Sequence, residues 1–458
     1  MVRKLTAILI GAGDRGADTY GEYAIRNSNE IKFIAVAEPI DIRRKKFIEK
    51  HQISKKNSFT SWEKLLEIDK IADIAIITTQ DQEHVEPAIL ALEKGYDVLL
   101  EKPMATTIED CKKLVEVSEK TGKLLHVCHV CRYTEFYSSI HSIIESGKIG
   151  DVVNISLREN VSSFHYAHSY IRGNWHNREK SSPMILAKSC HDMDILFWLV
   201  GSPAKKISSF GSQTHFGRKN QPKGAPDRCT DGCPVSESCL YYAPRIYINI
   251  EPLLQVSSKG GTFLEKFISR SVLKNPELKR FYPFNKINKA EEWPVSTITN
   301  DFSLEGRMKA LQETDYGKCV YAMDDHNVVD HQVVNIEFEN NVTATFTMHG
   351  FSHEEGRTLR IDGTKATIIG DFLFSGDTIR LMDAYTGKEK IIRKTGIIRG
   401  HSGGDVKLMQ SFLQSVRDRD NQPPLTDARS ALESHLMAFA ADKARLENKV
   451  VDMDNFKS

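Results

Sequence analysis

A glycine-rich turn near the N-terminus constrains the fold of this sequence more than any other feature. The segment "KLTAILIGAGDRGADTYGEYAI" has the pattern of a strand, a tight turn and the start of a helix. Its glycines have the G-x-G-x-x-G spacing, which permits the turn, the close approach of a pyrophosphate and tight helix–strand packing. The N–H groups that open the helix can bind phosphate. The turn therefore predicts a dinucleotide site, with candidates Gly11, Gly13, Asp14, Arg15 and Gly16.

The next apolar segment, "IKFIAVAEP", predicts which dinucleotide binds. It ends in Glu38, whose carboxylate can accept hydrogen bonds from the adenosine ribose and would repel a 2′-phosphate. NAD is therefore the expected cofactor. Arg43 and Arg44 follow closely and can hold a phosphate, which keeps NADP as the less favoured alternative.

Two further strand patterns, "IADIAIITT" and "YDVLLEKP", are separated by the helical pattern "EHVEPAILALEKG". Strands that alternate with helices predict a doubly wound parallel sheet, in which ligands lie beyond the carboxyl ends of the strands. Lys102, before Pro103, is held in non-helical backbone. It is a candidate for proton transfer, against the alternative of a surface lysine at a turn. The cofactor candidates at these strand ends are Thr78, Thr79, His84, Glu101 and Lys102.

Bulk properties limit the classes of protein. A chain of 458 residues is too long for one ordinary core, so two domains or a large insertion are expected. The net charge of +1 lacks the excess of positive charge that is typical of proteins that bind nucleic acid or an anionic membrane surface. No apolar run reaches the ~20 residues of a membrane span. Eight cysteines without an export signal predict reduced thiols and a cytoplasmic location.

The segment "ILAKSCHDMDILFWL" carries polar residues in an apolar helical pattern. Residues three and four apart share a helix face, so Lys188, His191 and Asp194 are expected along one stripe. A solvated helix face with a structural histidine is the alternative interpretation.

Several motifs together resemble one enzyme family. "ILIGAGDRG", "AEP", "TTQDQEH", "EKPMA" and "CHVCRY…IESGKIGDVVNISL" are similar, in order and spacing, to the Gfo/Idh/MocA oxidoreductases. The resemblance implies a Rossmann domain, here residues 1–132, and an α+β domain, here residues 133–458. It implies that the second domain has an open, mostly antiparallel sheet. One face of that sheet would cover the nicotinamide, and the other would form a homo-oligomer interface.

The family resemblance also implies catalytic roles. His191 and Asp194 match the end of the family pattern D-x-x-x-H-x-x-D, and Lys102 matches the lysine that contacts the substrate alcohol. Ala187 stands where the family has its first aspartate, and the adjacent Lys188 can fill that space. Histidine titrates near neutrality, and a neighbouring lysine stabilises an alkoxide. The expected acid/base group is therefore Lys102, Lys188 and His191, with Asp194 orienting the histidine.

A segment rich in aromatic and donor side chains, "SSFHYAHSYIRGNWHNREKSSPM", predicts a carbohydrate pocket, because aromatic faces stack on sugar C–H groups. A polar loop without a ligand is the alternative. Near the C-terminus, His331, His349 and His401 lie near the ends of strand patterns and either line the pocket or are structural. The candidates for substrate binding are Arg132, His165, Tyr166, Arg172, Trp175 and His191, with His168 and Tyr170 nearby.

Residues 205–320 are expected to be an insertion. Its Gly/Pro-rich start contains Cys229, Cys233 and Cys239, which predict a structural zinc clip with Cys319 or Cys190 as a fourth ligand. Free buried thiols are the alternative.

The function expected from this sequence is NAD-dependent oxidation of a ring hydroxyl of a sugar, glycoside or cyclic polyol. A glycoside hydrolase that retains its NAD and oxidises its substrate transiently is the first alternative. A cofactor-binding regulator without hydride exchange is the second.

Overall fold

A computed structural model describes residues 3–260, 262–282, 284, 293–394, 403–419, 421 and 424–457. Two sheets organise these residues, one of six strands and one of nine. No helix among them is both long enough and apolar enough to cross a bilayer. His401, expected near the pocket, lies outside the described residues.

The first sheet confirms the expected Rossmann arrangement. All its strands are parallel and their order is β3-β2-β1-β4-β5-β6. β4 and β5 are buried throughout because helices cover both faces. The strands are β1 (Leu5–Ile10), β2 (Ile31–Ala37), β3 (Ser58–Phe59), β4 (Ile74–Ile77), β5 (Asp97–Leu100) and β6 (Leu125–Val127).

The helix after the glycine turn begins as a π-helix over Asp14–Gly21 and continues as α1. Thr107 caps α5, because its side chain accepts a hydrogen bond from the Asp110 N–H at 3.1 Å. The helices of this half are α1 (Glu22–Arg26), α2 (Asp41–His51), α3 (Trp62–Glu67), α4 (Val85–Glu93), α5 (Ile108–Thr121) and α6 (Glu135–Glu145).

The second sheet confirms the expected open, mostly antiparallel architecture. Its order is β14-β13-β12-β11-β7-β10-β9-β8-β15, and β7–β10 is its parallel pair. Buried and less buried residues alternate along β10 and β12, as expected for a sheet with one covered face. The strands are β7 (Val152–Ser162), β8 (Ala204–Ser212), β9 (His331–Phe338), β10 (Thr343–Ser352), β11 (Gly356–Gly363), β12 (Ala366–Leu373), β13 (Gly376–Asp383), β14 (Glu389–Lys394) and β15 (Val451–Asp452).

Helices precede β8, occupy part of the segment between β8 and β9, and follow β14. α7 continues as a π-helix over Ala167–Arg172. The helices are α7 (Ser163–Tyr166), α8 (Met184–Ala187), α9 (Cys190–Val200), α10 (Ala243–Tyr247), α11 (Glu251–Gly260), α12 (Phe263–Lys274), α13 (Val295–Ile298), α14 (Leu304–Glu313), α15 (Gly404–Arg417), α16 (Ala428–Glu447) and α17 (Met453–Lys457).

The chain returns to the first domain near its end. Leu408, Met409 and Phe412 of α15 are buried in the same apolar cluster as Leu5 of β1. β8, whose residues 205–212 fall within the expected insertion, is a hydrogen-bonded strand of the second sheet. The domain boundaries proposed from the sequence stay predictions.

Two helix expectations need correction. The predicted helix over 185–199 is broken, because α8 ends at Ala187 and α9 begins at Cys190. Lys188 therefore does not share a helix face with His191 and Asp194. The helical pattern over 303–323 forms α14 only as far as Glu313, because Thr314 has extended backbone.

Candidate active site

A cavity of about 1540 Å³ lies between the two sheets. It is lined by the glycine turn, by the carboxyl ends of the parallel strands and by residues of the second domain. This is the position where open α/β sheets bind their ligands. Of the predicted site residues, it brings together Gly13, Asp14, Arg15, Arg43, Thr78, Thr79, His84, Glu101, Lys102, His165, Trp175, Lys188 and His191.

Two positions of the glycine turn, Gly11 and Gly16, have no room for a side chain larger than hydrogen. A Cβ atom on Gly11, where φ is +90°, would lie 2.7 Å from the Thr78 carbonyl oxygen. On Gly16 it would lie 2.1 Å from the Gly11 carbonyl oxygen. Gly13 instead borders the cavity, beside the first-turn N–H groups of the π-helix. These features fit a bound pyrophosphate.

Glu38 is buried directly beside the turn. Its carboxylate oxygens accept hydrogen bonds from the N–H groups of Ala12 (2.7 Å) and Ile40 (2.8 Å). The guanidinium of Arg44 donates to the Glu38 carbonyl oxygen and to Asp41, so it is held away from the cavity. Arg43 lines the cavity and is the arginine placed to meet a cofactor phosphate.

Arg15 is tied into an ionic cluster. Its guanidinium donates to Glu101 (2.6 Å) and Asp405 (2.7 Å). Burial alone would raise the pKa of Glu101, but Arg15, Tyr20 and Lys102 together outweigh it and hold that pKa below its ordinary value. The cluster joins the glycine turn to β5 and α15, so Arg15 and Glu101 shape the cleft wall.

The loop after β4 is held by its own side chains. Thr78 donates to the Gly11 carbonyl oxygen at 2.6 Å, and Thr79 donates to the Glu83 carbonyl oxygen at 2.9 Å. The ring nitrogens of His84 lie 2.7 Å from the Pro103 carbonyl oxygen and 3.1 Å from that of Thr79. His84 thus links two strand-end loops.

Lys102 and His191 both line the cavity although they are far apart in sequence. The Lys102 ammonium donates to the Ala187 carbonyl oxygen at 2.9 Å, four residues before His191. Ala187 therefore contributes its backbone where the family pattern has a carboxylate. The ring of His191 lies 5.8 Å from that of His129, which lies 5.4 Å from that of His435.

Sequence reasoning missed this row of buried imidazoles behind His191. The His435 Nδ1 lies 2.7 Å from the Ala431 carbonyl oxygen, and its Nε2 accepts from the Met104 N–H at 2.9 Å. Burial lowers the pKa of His435 to about 3, and burial with Arg132 and Lys102 lowers that of His129 well below its ordinary value. Both rings are therefore neutral at physiological pH. His129, His191 and His435 are far apart in sequence, so only the fold reveals that their rings form a row.

Lys188 belongs to a buried ion-pair group at the substrate end. Its ammonium lies 3.1 Å from a Glu355 oxygen and 3.4 Å from a Glu159 oxygen. Burial alone would lower the pKa of Lys188, but Glu159 and Glu355 outweigh it and raise that pKa. Lys188 is thus a stable cation and not a proton acceptor.

His165 completes this group. Its Nδ1 lies 2.9 Å from Glu355, which also accepts hydrogen bonds from the N–H and hydroxyl of Ser162. Burial would raise the pKa of Glu355, but His165 and Lys188 hold it below its ordinary value. A carboxylate that fixes one ring nitrogen leaves the other to act as an acid or base.

The two aspartates of α9 face different arginines. Arg357 binds Asp192 at 2.7 Å, yet burial raises the pKa of Asp192 to about 6. Arg132 binds both oxygens of Asp194, at 2.7 and 2.6 Å, and both side chains are almost fully buried. Asp194 is thus paired with Arg132, and the expected roles of Asp194 in orienting His191 and of Arg132 in binding substrate stay predictions.

The substrate candidates divide into two groups. His165, His168, Tyr170 and Trp175 line the cavity. The Trp175 indole donates to Asp81 at 3.0 Å. Tyr166 is instead fully buried and donates to the Val329 carbonyl oxygen. Arg172 is buried beside Cys229.

Trp293, in the segment between β8 and β9, also lines the cavity and was missed. Its ring packs edge-on against His165, 4.9 Å between centroids.

The predicted zinc clip finds no preassembled site among the described residues. All eight cysteines are free thiols. Across the described parts of the chain, no three His, Cys, Asp or Glu side chains form a preassembled metal-binding group. A zinc clip made by Cys229, Cys233 and Cys239 alone is therefore not supported.

Comparison with protein families agrees with this architecture. Residues 5–129 match the Gfo/Idh/MocA "Oxidoreductase family, NAD-binding Rossmann fold". Residues 141–242 and 300–453 match the "Oxidoreductase family, C-terminal alpha/beta domain" of the same family. The chain belongs to this family. It is thus an oxidoreductase with an NAD-binding domain, and the non-catalytic regulator is not supported.

Relatives extend the comparison to named proteins. YteT of Bacillus subtilis, named as an oxidoreductase, is 24% identical over 77% of this chain and 74% of its own length. Inositol 2-dehydrogenase of Salmonella typhimurium is 27% identical over 45% of this chain and 57% of its own length. "Glycosyl hydrolase family 109 protein 2" of Bacteroides fragilis is 27% identical over 37% of this chain and 40% of its own length.

Solved structures share the whole fold. An oxidoreductase from Agrobacterium radiobacter, solved with NAD+, L-tartaric acid and magnesium, is 13% identical, with a TM-score of 0.64 and 99% of each chain covered. An oxidoreductase from Desulfitobacterium hafniense, titled as NADPH-dependent, is 14% identical, with a TM-score of 0.65 and 100% of each chain covered.

Proposed function

We propose that this oxidoreductase uses NAD to oxidise a ring hydroxyl of a sugar, glycoside or cyclic polyol. The observation that carries the proposal is that one cavity is lined by the glycine turn, Lys102 and His191. Bound NAD would supply the hydride acceptor. Gly13 and Asp14 are proposed to bind its pyrophosphate, and Glu38 its ribose.

The proton chemistry is assigned to side chains around the substrate hydroxyl. His191 removes the hydroxyl proton, because a neutral imidazole is the side-chain base suited to neutral pH. The Lys102 ammonium, held by the Ala187 carbonyl, stabilises the alkoxide as its charge develops. The fixed cation Lys188 strengthens the same effect from the second domain.

A second candidate function is glycoside cleavage without net oxidation. It requires a further acid/base group that protonates a leaving group, and the His165–Glu355 pair supplies one. The glycosyl hydrolase family 109 relative favours this candidate over part of the chain. Trp293, edge-on against His165, is proposed to bind the carbohydrate by stacking.

The experiment that separates these functions is a substrate screen. Purified protein with NAD is mixed with free sugars, cyclic polyols and aryl glycosides, and two signals are followed: nicotinamide reduction and leaving-group release. Net reduction supports the dehydrogenase, and glycoside cleavage without net reduction supports the second function. If neither signal appears with any carbohydrate, the proposed substrate class is wrong.

Variants then test the assigned roles. Lys102→Ala and His191→Ala should each lower turnover by about 10²–10⁴-fold and leave NAD affinity nearly unchanged. The double variant should be little worse than the poorer single one. Lys94→Ala is the matched control, because the Lys94 ammonium also donates to a backbone carbonyl, that of Ile68 (3.1 Å), but at the surface. Wild-type turnover in His191→Ala would move the base assignment to His165.

We further propose a homo-oligomer formed through the second sheet and a cytoplasmic location. Val153, Phe210 and Phe351 are large apolar side chains that lie exposed on β7, β8 and β10 of that sheet. Light scattering of the purified protein tests the oligomer.

A further inference from the structure

Four cysteines surround one small cavity at the base of the segment that separates β8 from β9. Cys229, Cys233, Cys239 and Cys319 all line it, although Cys319 lies 80 residues beyond Cys239 in sequence. The cavity has a volume of about 10 Å³. That is the volume one water molecule or one ion needs. Cys190, the other candidate for a fourth ligand, is buried in α9 and does not line this cavity.

Backbone hydrogen bonds hold the four cysteines in place. The Cys229 N–H donates to the Gly317 carbonyl oxygen at 2.9 Å, and the Cys319 N–H donates to that of Asp227 at 2.8 Å. The antiparallel bridge between Arg228 and Lys318 lies between these two bonds. Cys229 and Cys319 are therefore side by side, and the turn that follows brings Cys233 and Cys239 to the same cavity.

A buried cation borders this cavity, and the described residues offer it no acidic partner. Arg172 is 3% exposed and lines the cavity. Its guanidinium donates to the carbonyl oxygens of Lys318 and Tyr241, both at 2.7 Å, and its Nη2 lies 3.7 Å from the Cys229 sulfur. Among the described residues, no carboxylate forms an ion pair with it. A buried charge without a counter-charge is costly, so negative charge is expected beside it.

We propose that Cys229, Cys233, Cys239 and Cys319 bind one zinc ion as thiolates, with Arg172 as the neighbouring counter-charge. Four thiolates around Zn²⁺ carry a net charge of −2, which a buried guanidinium partly neutralises. Neutral thiols attract one another only weakly. Without the ion, the four sulfur atoms are therefore expected to lie too far apart to form a preassembled site. Binding of the ion would draw them together.

The position of the site indicates what it does. From Gln213 to Tyr242, one short 3-10 helix, Arg218–Asn220, is the only regular element. Such a segment lacks the periodic apolar contacts that hold helices and strands. The chain leaves the site for Trp293 and returns to it at Cys319, so the ion would clamp the base of a segment that lines the active-site cavity. This role does not depend on the substrate or the reaction.

The test is the metal content of the intact protein, purified without added metal or chelator. We expect about one zinc ion per chain, which Cys233→Ala should lose. Cys233 is chosen because it is only half-buried. Cys111→Ala is the matched control, because that thiol is fully buried in α5, away from the cavity, and its loss should leave zinc in place.

A second measurement tests the proposal even if Cys233→Ala does not fold. The wild-type protein is stripped with a strong chelator under reducing conditions and titrated with Co²⁺, whose visible absorption identifies a tetrahedral thiolate site. A stoichiometric thiolate-to-cobalt band, removed by Zn²⁺, supports the proposal. Reduced wild-type protein that is isolated without zinc and binds neither ion overturns it, as does iron or a disulfide found at these cysteines.

Discussion

The buried pair Arg132–Asp194 is predicted to stabilise the fold more than it serves the chemistry. Its side chains are 4% and 1% exposed and are joined by two hydrogen bonds of 2.6 and 2.7 Å. Asp194→Ala leaves an unpaired guanidinium in the protein interior, which typically costs about 3–5 kcal/mol. At roughly 1.4 kcal/mol per factor of ten, that reduces the folded-to-unfolded ratio by about 10²–10³-fold or more.

The partner variant, Arg132→Met, should behave differently with pH. Burial raises the pKa of Asp194 and outweighs Arg132, so the folded carboxyl holds its proton more tightly than the unfolded one. The stability that comes from protonated Asp194 is thus fully present below the pKa of this carboxyl in the unfolded chain, about 3.9. It is lost as pH rises through the pKa of Asp194 in the folded protein. Without Arg132 that pKa rises further. The stability deficit of Arg132→Met should therefore be larger near pH 8 than near pH 5.

Urea unfolding followed by circular dichroism measures both effects. The control is Asp362→Ala, which breaks the exposed pair Arg360–Asp362 and should hardly change the free energy of unfolding. A cost below ~1 kcal/mol for both Asp194→Ala and Arg132→Met would refute the reasoning. So would a deficit for Arg132→Met that is the same at both pH values.

Three further predictions follow from the cavity. NAD should bind at least ~10-fold more tightly than NADP, about 1.4 kcal/mol in binding free energy, because Glu38 borders the turn and Arg44 is held elsewhere. Direct titration with both cofactors at matched salt checks this. Equal affinities would contradict it. Gly16→Ala should cost about 1–3 kcal/mol in urea unfolding and weaken NAD binding, because its Cβ would lie 2.1 Å from the Gly11 carbonyl oxygen. Trp293→Ala should raise KM for the carbohydrate but not the Kd of NAD, whereas Trp62→Ala, outside the cavity lining, should change neither.

The sequence predicted the parts of the fold that local pattern determines. The glycine spacing, the apolar strand patterns and the position of Lys102 before Pro103 all depend on neighbouring residues. They predicted the first sheet correctly, and the predicted residues at its strand ends line the large cavity. The alternation in β9 to β12 likewise predicted the second sheet.

Contacts between distant residues were beyond the reach of these patterns. Arg132 and Asp194 are 62 residues apart, so nothing local marks them as partners. The helix is broken between α8 and α9, and Lys188 at the break pairs with Glu159 and Glu355. Ion pairing and tertiary packing here outweigh the helical pattern of the sequence. Trp293 reaches the cavity from a segment whose course depends on contacts distant in sequence.

The most direct test of the central claim is a single-turnover measurement with NAD bound and the active carbohydrate in excess. The account predicts that the substrate reduces the nicotinamide in the wild-type protein, transiently or permanently, and that Lys102→Ala and His191→Ala slow this step by about 10²–10⁴-fold. Carbohydrate turnover during which the nicotinamide is never reduced, or equal reduction rates in the wild type and both variants, would contradict it.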